Sequence, residues 1–212
     1  MKKATIFYFY DALCGWCYGF SPVFKEFYEK HKENYQFQVV SGGMITGTQA
    51  GPIGKVAGYI KEAYKTVENR TGVKFGEAFL KDILKEGSIE FNSIPLGVAM
   101  TVFKKYQPEN QVLFAHRLLQ AVYYDGIAPM EESYYGPIAE EFSLDGNKFI
   151  SEMKEEINVK ATFEEFSMCK RLGVQGYPTV AIETGEGKLY ALSRGYLRLE
   201  DLEANFEDIL AV

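Results

Sequence analysis

Runs of residues patterned as β-strands are read only near the two ends of this chain, and that division constrains the fold more than any other feature. Thr5 to Tyr10 is an unbroken run of β-branched and aromatic residues without polar alternation, which predicts a buried strand. The apolar positions Phe20, Val23, Phe24, Phe27 and Tyr28 then recur at helical spacing as far as the polar run Lys30-His31-Lys32-Glu33-Asn34. Phe37 to Val40 reads as a second strand ending at Gly42-Gly43, so the first segment is a strand-helix-strand unit with parallel strands and a right-handed crossover. Near the other end, Thr179 to Ile182, a turn at Thr184-Gly185-Glu186-Gly187 and Leu189 to Leu192 predict a hairpin. Leu199, Leu202, Phe206, Ile209 and Leu210 then share one face of a closing amphipathic helix.

The middle of the chain, from about Pro52 to Leu172, is helical in pattern. Helices are predicted at Ile53 to Asn69, Gly76 to Lys85, Pro95 to Tyr106, Glu109 to Tyr124, Glu131 to Phe142, Asp145 to Glu156 and Thr162 to Leu172. Val112, Leu113, Phe114, Leu118, Leu119, Val122 and Tyr123 make one of these apolar on more than one face, as in a helix buried among helices. The order is βαβ, helical block, ββα: a domain of residues 1–50 and 173–212 interrupted by a helical insertion of residues 51–172.

The formal charge is −6, from 23 basic and 29 acidic side chains, with no block of like charge. Nucleic acid is therefore not an expected partner, since its binding depends on clustered cations. Met1-Lys2-Lys3-Ala4-Thr5-Ile6-Phe7 begins like a signal sequence, but the apolar run breaks at Asp11. With no segment long and apolar enough to span a bilayer, a cytoplasmic location is expected.

Of three cysteines, Cys14 and Cys17 lie three positions apart in Cys14-Gly15-Trp16-Cys17, at the junction between the first strand and its helix. Sulfur nucleophiles react as thiolates, and a free cysteine with a pKa of about 8.5 supplies little thiolate at neutral pH. The unsatisfied N–H groups of a helix amino terminus stabilise an anion, so Cys14 is expected to be acidified and exposed there. Cys17, one turn on, is placed to resolve a mixed disulfide formed at Cys14. A structural zinc would need two more ligands, and Cys169, His31 and His116 do not sit at knuckle spacing, so a redox pair is favoured over zinc or inert packing.

A CxxC that follows a buried strand and opens an amphipathic helix resembles the thioredoxin fold. The helical block between the βαβ and ββα halves makes the whole chain similar to the DsbA family, nearest to its FrnE-like branch of protein-disulfide isomerases. That resemblance implies a thioredoxin-like α/β fold and dithiol-disulfide exchange by Cys14 and Cys17. It also implies a cis proline at Pro178 in Gly176-Tyr177-Pro178-Thr179, with Tyr177 and Pro178 forming a ledge for an extended substrate and Trp16 beside it. The substrates implied are disulfide-bearing proteins or small thiols, with glutathione or another thiol pool, or a cellular dithiol, as redox partner and no bound cofactor or metal. Related 2-hydroxychromene-2-carboxylate isomerases and kappa-class glutathione transferases act on small molecules but typically lack the resolving cysteine. Other relatives resemble protease adaptors. The Gly15-Trp16 dipeptide departs from the Pro-His of the type member, so a histidine-stabilised thiolate does not carry over, and no buried acidic proton relay can be placed. Asp11 is nearest, but equally reads as a solvated turn residue.

Pro22 lies inside the first helix and should kink it near Tyr18. Cys169 shares an apolar face with Phe166 and Leu172 and reads as core. His116 is expected to be packed with a backbone partner, and His31 to be exposed. Tyr18 and Phe20 are expected to line an apolar groove around the cysteines. Ser41-Gly42-Gly43-Met44 lacks the lysine and spacing of a phosphate-binding loop, so no nucleotide is implied.

Overall fold

The computed structural model describes residues 3–184 and 187–211. Met1 and Lys2 of the signal-like start, Gly185 and Glu186 of the predicted turn, and Val212 lie outside them. Strand β1 (Thr5–Tyr10) is followed by helix α1 (Gly15–His31) and strand β2 (Gln36–Ser41), which pairs parallel to β1 as the crossover rule requires. A two-residue strand β3 (Gly51–Pro52) leads into helix α2 (Ala57–Thr71) and later pairs with β4 (Glu90–Phe91). Then come α3 (Ser93–Tyr106), α4 (Gln111–Tyr123), α5 (Tyr135–Glu140), α6 (Gly146–Met153) and α7 (Glu156–Arg171), before β5 (Thr179–Glu183), β6 (Leu189–Arg194) and α8 (Leu199–Leu210). The main sheet has the order β2-β1-β5-β6, with β5 and β6 antiparallel to their neighbours. This is the thioredoxin-like α/β architecture with a large helical insertion.

The sheet explains why β1 shows no polar alternation. Ile6, Tyr8 and Tyr10 point into the core shared with α1 and α8, while Phe7 and Phe9 point the other way, against Cys169 on α7, Val40 and Ala181. Both faces are covered, so every position of β1 is apolar or buried. The free edge of β2 is closed by side chains. Gln111 accepts from Val39 N (2.7 Å) and donates to Phe37 O (2.8 Å), and Glu165 accepts from Ser41 N (2.8 Å). In the insertion, Phe103 and Phe114 stack at 4.0 Å between ring centroids, which joins α3 to α4.

Several boundaries differ from the sequence reading. The segment expected as a helix over Gly76 to Lys85 is wound as a π-helix at Phe79–Lys85. The helix expected at Glu131 to Phe142 narrows to α5, because a 3-10 turn occupies Glu132–Tyr134. The helix expected to start at Thr162 begins at Glu156. Its first turns are anchored by Asn158, which donates to Glu152 O at 2.7 Å across the short junction with α6, a bond with no periodic signature. The β3–β4 ladder has only two residues per strand, too short for any sequence pattern. Helix α1 runs without a break through Pro22. The Tyr18 carbonyl, whose usual i+4 donor the proline lacks, accepts instead from Ser21 Oγ at 3.0 Å.

Candidate active site

The carboxyl end of β1 delivers the chain into the cysteine motif. Cys14 N donates to Asp11 O (3.0 Å), forming a tight turn, and Tyr18 N donates to Cys14 O (3.1 Å), the first bond of α1. Cys14 is thus the N-cap residue, extended at φ −96°, ψ 112°, and no side chain caps the free N–H groups of that first turn. Contrary to expectation Cys14 is not exposed: 7% of its surface is accessible. The helical insertion buries it. Tyr123 at the end of α4 and Phe75 pack on Tyr18, and a Cβ at Gly15 would lie 3.8 Å from the Phe75 ring.

Cys14, Cys17 and Cys169 are all free thiols. Cys17 is fully buried, and its thiol is pushed well up by burial, by its hydrogen bond with Cys14 and by the Cys14 charge, against a smaller downward pull from a backbone hydrogen bond at Asp11. The two sulfurs therefore have distinct surroundings.

The loop before β5 approaches the pair from the opposite side. The Tyr177–Pro178 bond is cis, and Cys14 Sγ donates to the Tyr177 carbonyl at 3.3 Å. The structure brings Cys14, Tyr177 and Pro178 together, as the resemblance implied. Tyr177 is anchored at its far end, where its hydroxyl donates to Gly42 O at 3.1 Å and lies against Cys169. A Cβ at Gly42 would lie 2.6 Å from both Cε1 and Oη of Tyr177, so the ring occupies the space that glycine leaves open. The neighbouring Gly43, at φ +65°, plays the same part for the Phe166 ring. Gly42, read in the sequence only as part of the end of the second strand and of a segment that is not a phosphate-binding loop, is the seat of the Tyr177 ring. Close approach of a distant ring leaves no local signal.

Asp11 is 2% exposed and is not a solvated turn residue. Its carboxylate accepts from Leu13 N (2.9 Å), Ser93 Oγ (3.0 Å) and Met44 N (2.7 Å), tying the cysteine turn to the loop after β2 and to the start of α3. Burial raises its pKa against the pull of those hydrogen bonds.

Trp16 is half-buried and faces Tyr196, with ring centroids 6.4 Å apart. Tyr18 and Phe20 do not line an open groove, being 6% and 0% exposed; they belong to the core beneath α1. Cys169 is core as expected, fully buried, its Sγ directed at Ser41 O at 3.5 Å and its thiol pushed up to about 11 chiefly by burial. His116 is packed, but on a side chain. Its Nδ1 lies 2.9 Å from Ser21 Oγ, whose own proton goes to Tyr18 O, so Nδ1 carries the proton. Burial lowers its pKa to about 4. His31 is half-buried against Glu203 at 2.7 Å, because α8 packs on the end of α1.

A DsbA-like thioredoxin domain model matches residues 5–207. The chain belongs to the DsbA-like thioredoxin family. It is accordingly an oxidoreductase of the thiol-disulfide class. Among solved structures it superposes on a candidate protein disulfide isomerase from Nitrosomonas europaea with a TM-score of 0.86 and 19% identity, covering 99% of this chain and 98% of that one. The cytosolic disulfide reductase DsbM from Pseudomonas aeruginosa gives a TM-score of 0.81 and 26% identity, covering 98% of each chain. A second DsbM structure, with GSH, gives 0.79 and 24%, covering 98% of this chain and 100% of that one. No curated protein sequence matches this DsbA-like chain. Among its described residues, no helix is long and apolar enough to cross a membrane.

Proposed function

We propose that this DsbA-like protein is a disulfide reductase in which Cys14 attacks, Cys17 resolves, and Tyr177 with Pro178 presents the substrate. Cys14 gives up its thiol proton to water and the resulting thiolate attacks one sulfur of the substrate disulfide; a mixed disulfide forms, and the other substrate sulfur leaves as a thiolate that takes a proton from water. Cys17 then loses its proton and attacks Cys14 Sγ, releasing the second substrate thiol. The substrate has gained two electrons and the protein holds a Cys14–Cys17 disulfide. Two molecules of thiol, glutathione in the simplest case, return those electrons and become a disulfide themselves, so no bound cofactor takes part. The same steps in reverse serve isomerase or oxidase turnover. Reduction, with a cytoplasmic setting, is favoured by the 26% identical DsbM, named as a cytosolic disulfide reductase and also solved with GSH.

The observation that carries this reading is the asymmetry of the pair. Cys14 caps a helix whose first N–H groups are free and faces the Tyr177 carbonyl, whereas Cys17 is fully buried and held protonated. A substrate strand displacing the Cys14 bond would meet the same carbonyl, as in strand addition. The test is Cys17→Ser incubated with a disulfide-bearing protein. A mixed disulfide at Cys14 that persists on non-reducing gels is expected; a trapped species that requires Cys17 and forms on Cys14→Ser would reverse the two roles.

A further inference from the structure

The sheet is covered unevenly. Helices α1 and α8 pack on one face, whereas on the other α7 lies over β2 and β1 and leaves β5 and β6 bare. The bare half forms a groove of about 560 Å³, floored by Phe9, Thr179, Ala181 and Ala191, walled by the loop after α7, and ending at Tyr177 and Arg194. Two observations connect it to the cysteine site. Tyr177 lines the groove and also supplies the carbonyl facing Cys14. Arg194 is paired across the ladder with Thr179, the residue after Pro178, and Gly195 N donates to Pro178 O at 2.7 Å.

Arg194 is exposed and makes no ion pair or hydrogen bond with its side chain among the described residues. Arg198, four positions on, is by contrast held by Asp201 and Glu200. A guanidinium left unpaired at the end of a groove of mixed polar and apolar lining calls for a carboxylate.

We propose that this groove binds the polypeptide on one side of the substrate disulfide and that Arg194 selects substrates with an acidic residue a few positions from the reacting cysteine. The proposal rests on the reductase reading, which supplies the disulfide and the ledge. The small side chains of the floor leave room for an extended chain, and the apolar floor favours its non-polar residues. The ligand class is therefore an unfolded or loop segment that is apolar and carries one carboxylate. A small disulfide such as glutathione disulfide reaches the cysteines without needing the groove.

The test compares two disulfide-linked peptides of identical length and apolar content, one with Glu and one with Lys two to four residues from the cysteine, with glutathione disulfide as a third substrate. Wild type is expected to favour the Glu peptide in kcat/KM by about two- to fivefold, the range that exposed ion pairs give. Arg194→Glu should reverse the preference while leaving the dithiol-disulfide equilibrium of the Cys14/Cys17 pair with glutathione unchanged. Ala191→Trp, which fills the exposed floor, should slow both peptides and spare glutathione disulfide. Equal peptide preferences in wild type and Arg194→Glu, or peptide rates untouched by Ala191→Trp, overturn the groove assignment while turnover persists. No Cys14-dependent exchange with any of the three would overturn the reductase reading and the groove with it.

Discussion

Replacing Gly42 with alanine is the sharpest test of the platform that seats the Tyr177 ring, whose own carbonyl faces Cys14. The added Cβ would lie 2.6 Å from Cε1 and Oη of Tyr177, closer than packed atoms come, so the ring must shift. The ring is held at both ends, by its hydroxyl bond to Gly42 O and by the backbone leading to the cis Tyr177–Pro178 bond, so relief at one end displaces the other. Loss of the hydroxyl bond costs about 1 kcal/mol and overpacking a further 1 to 3 or so, for a total of about 2 to 4 kcal/mol. For a chain of this length that corresponds to a fall in Tm of roughly 5 to 15 °C. The displaced carbonyl should also slow attack by Cys14, which stopped-flow fluorescence can follow because Trp16 is the single tryptophan and lies between the cysteines. Gly58→Ala is the control. It lies in α2 with no atom within 4 Å of an added Cβ, and should raise stability by about 0.5 to 1 kcal/mol. A Gly42→Ala protein with wild-type Tm and exchange rate would refute the platform argument.

Tyr177→Phe should lose only the hydroxyl bond, about 1 kcal/mol by chemical denaturation, and fall between wild type and Gly42→Ala in exchange rate. Iodoacetamide at neutral pH should modify Cys14 first in the reduced protein, with Cys17 and Cys169 following only as it unfolds; peptide mass spectrometry reads the order. His116, with its pKa lowered to about 4 from 6.5, stays neutral in the folded protein while the unfolded chain takes up a proton below about pH 6.5. Stability should therefore fall from pH 7 to pH 5 by about 1 to 2 kcal/mol on this account, and His116→Phe should remove that part of the slope in urea titrations. An unchanged slope would mean that His116 is solvated.

What could be read from the sequence was what depends on local pattern. The β-branched and aromatic run of β1, the cysteines at its helical junction and the hairpin pattern after Pro178 each declare themselves within a short window, and together they point to the fold. What could not be read depends on residues far apart in the chain. Asp11 looks like a turn residue until the loop at Met44 and the start of α3 at Ser93 close over it. Gly42 has no visible purpose until Tyr177, 135 residues away, is laid across it. His31 looks like the exposed end of a polar run until α8 brings Glu203 against it. Tyr18 and Phe20 follow the cysteines in sequence, but helical geometry turns them inward, and Tyr196 from the far end of the chain meets Trp16 instead.

The central claim is that Cys14 and Cys17 interconvert reversibly between dithiol and disulfide. Equilibrating the protein with glutathione buffers of graded ratio, then trapping with an alkylating agent and weighing the products, tests it directly. A single two-electron transition confined to Cys14 and Cys17, with Cys169 reduced throughout, is the predicted result. Failure to form that disulfide at any ratio, or a disulfide that includes Cys169, would contradict the account.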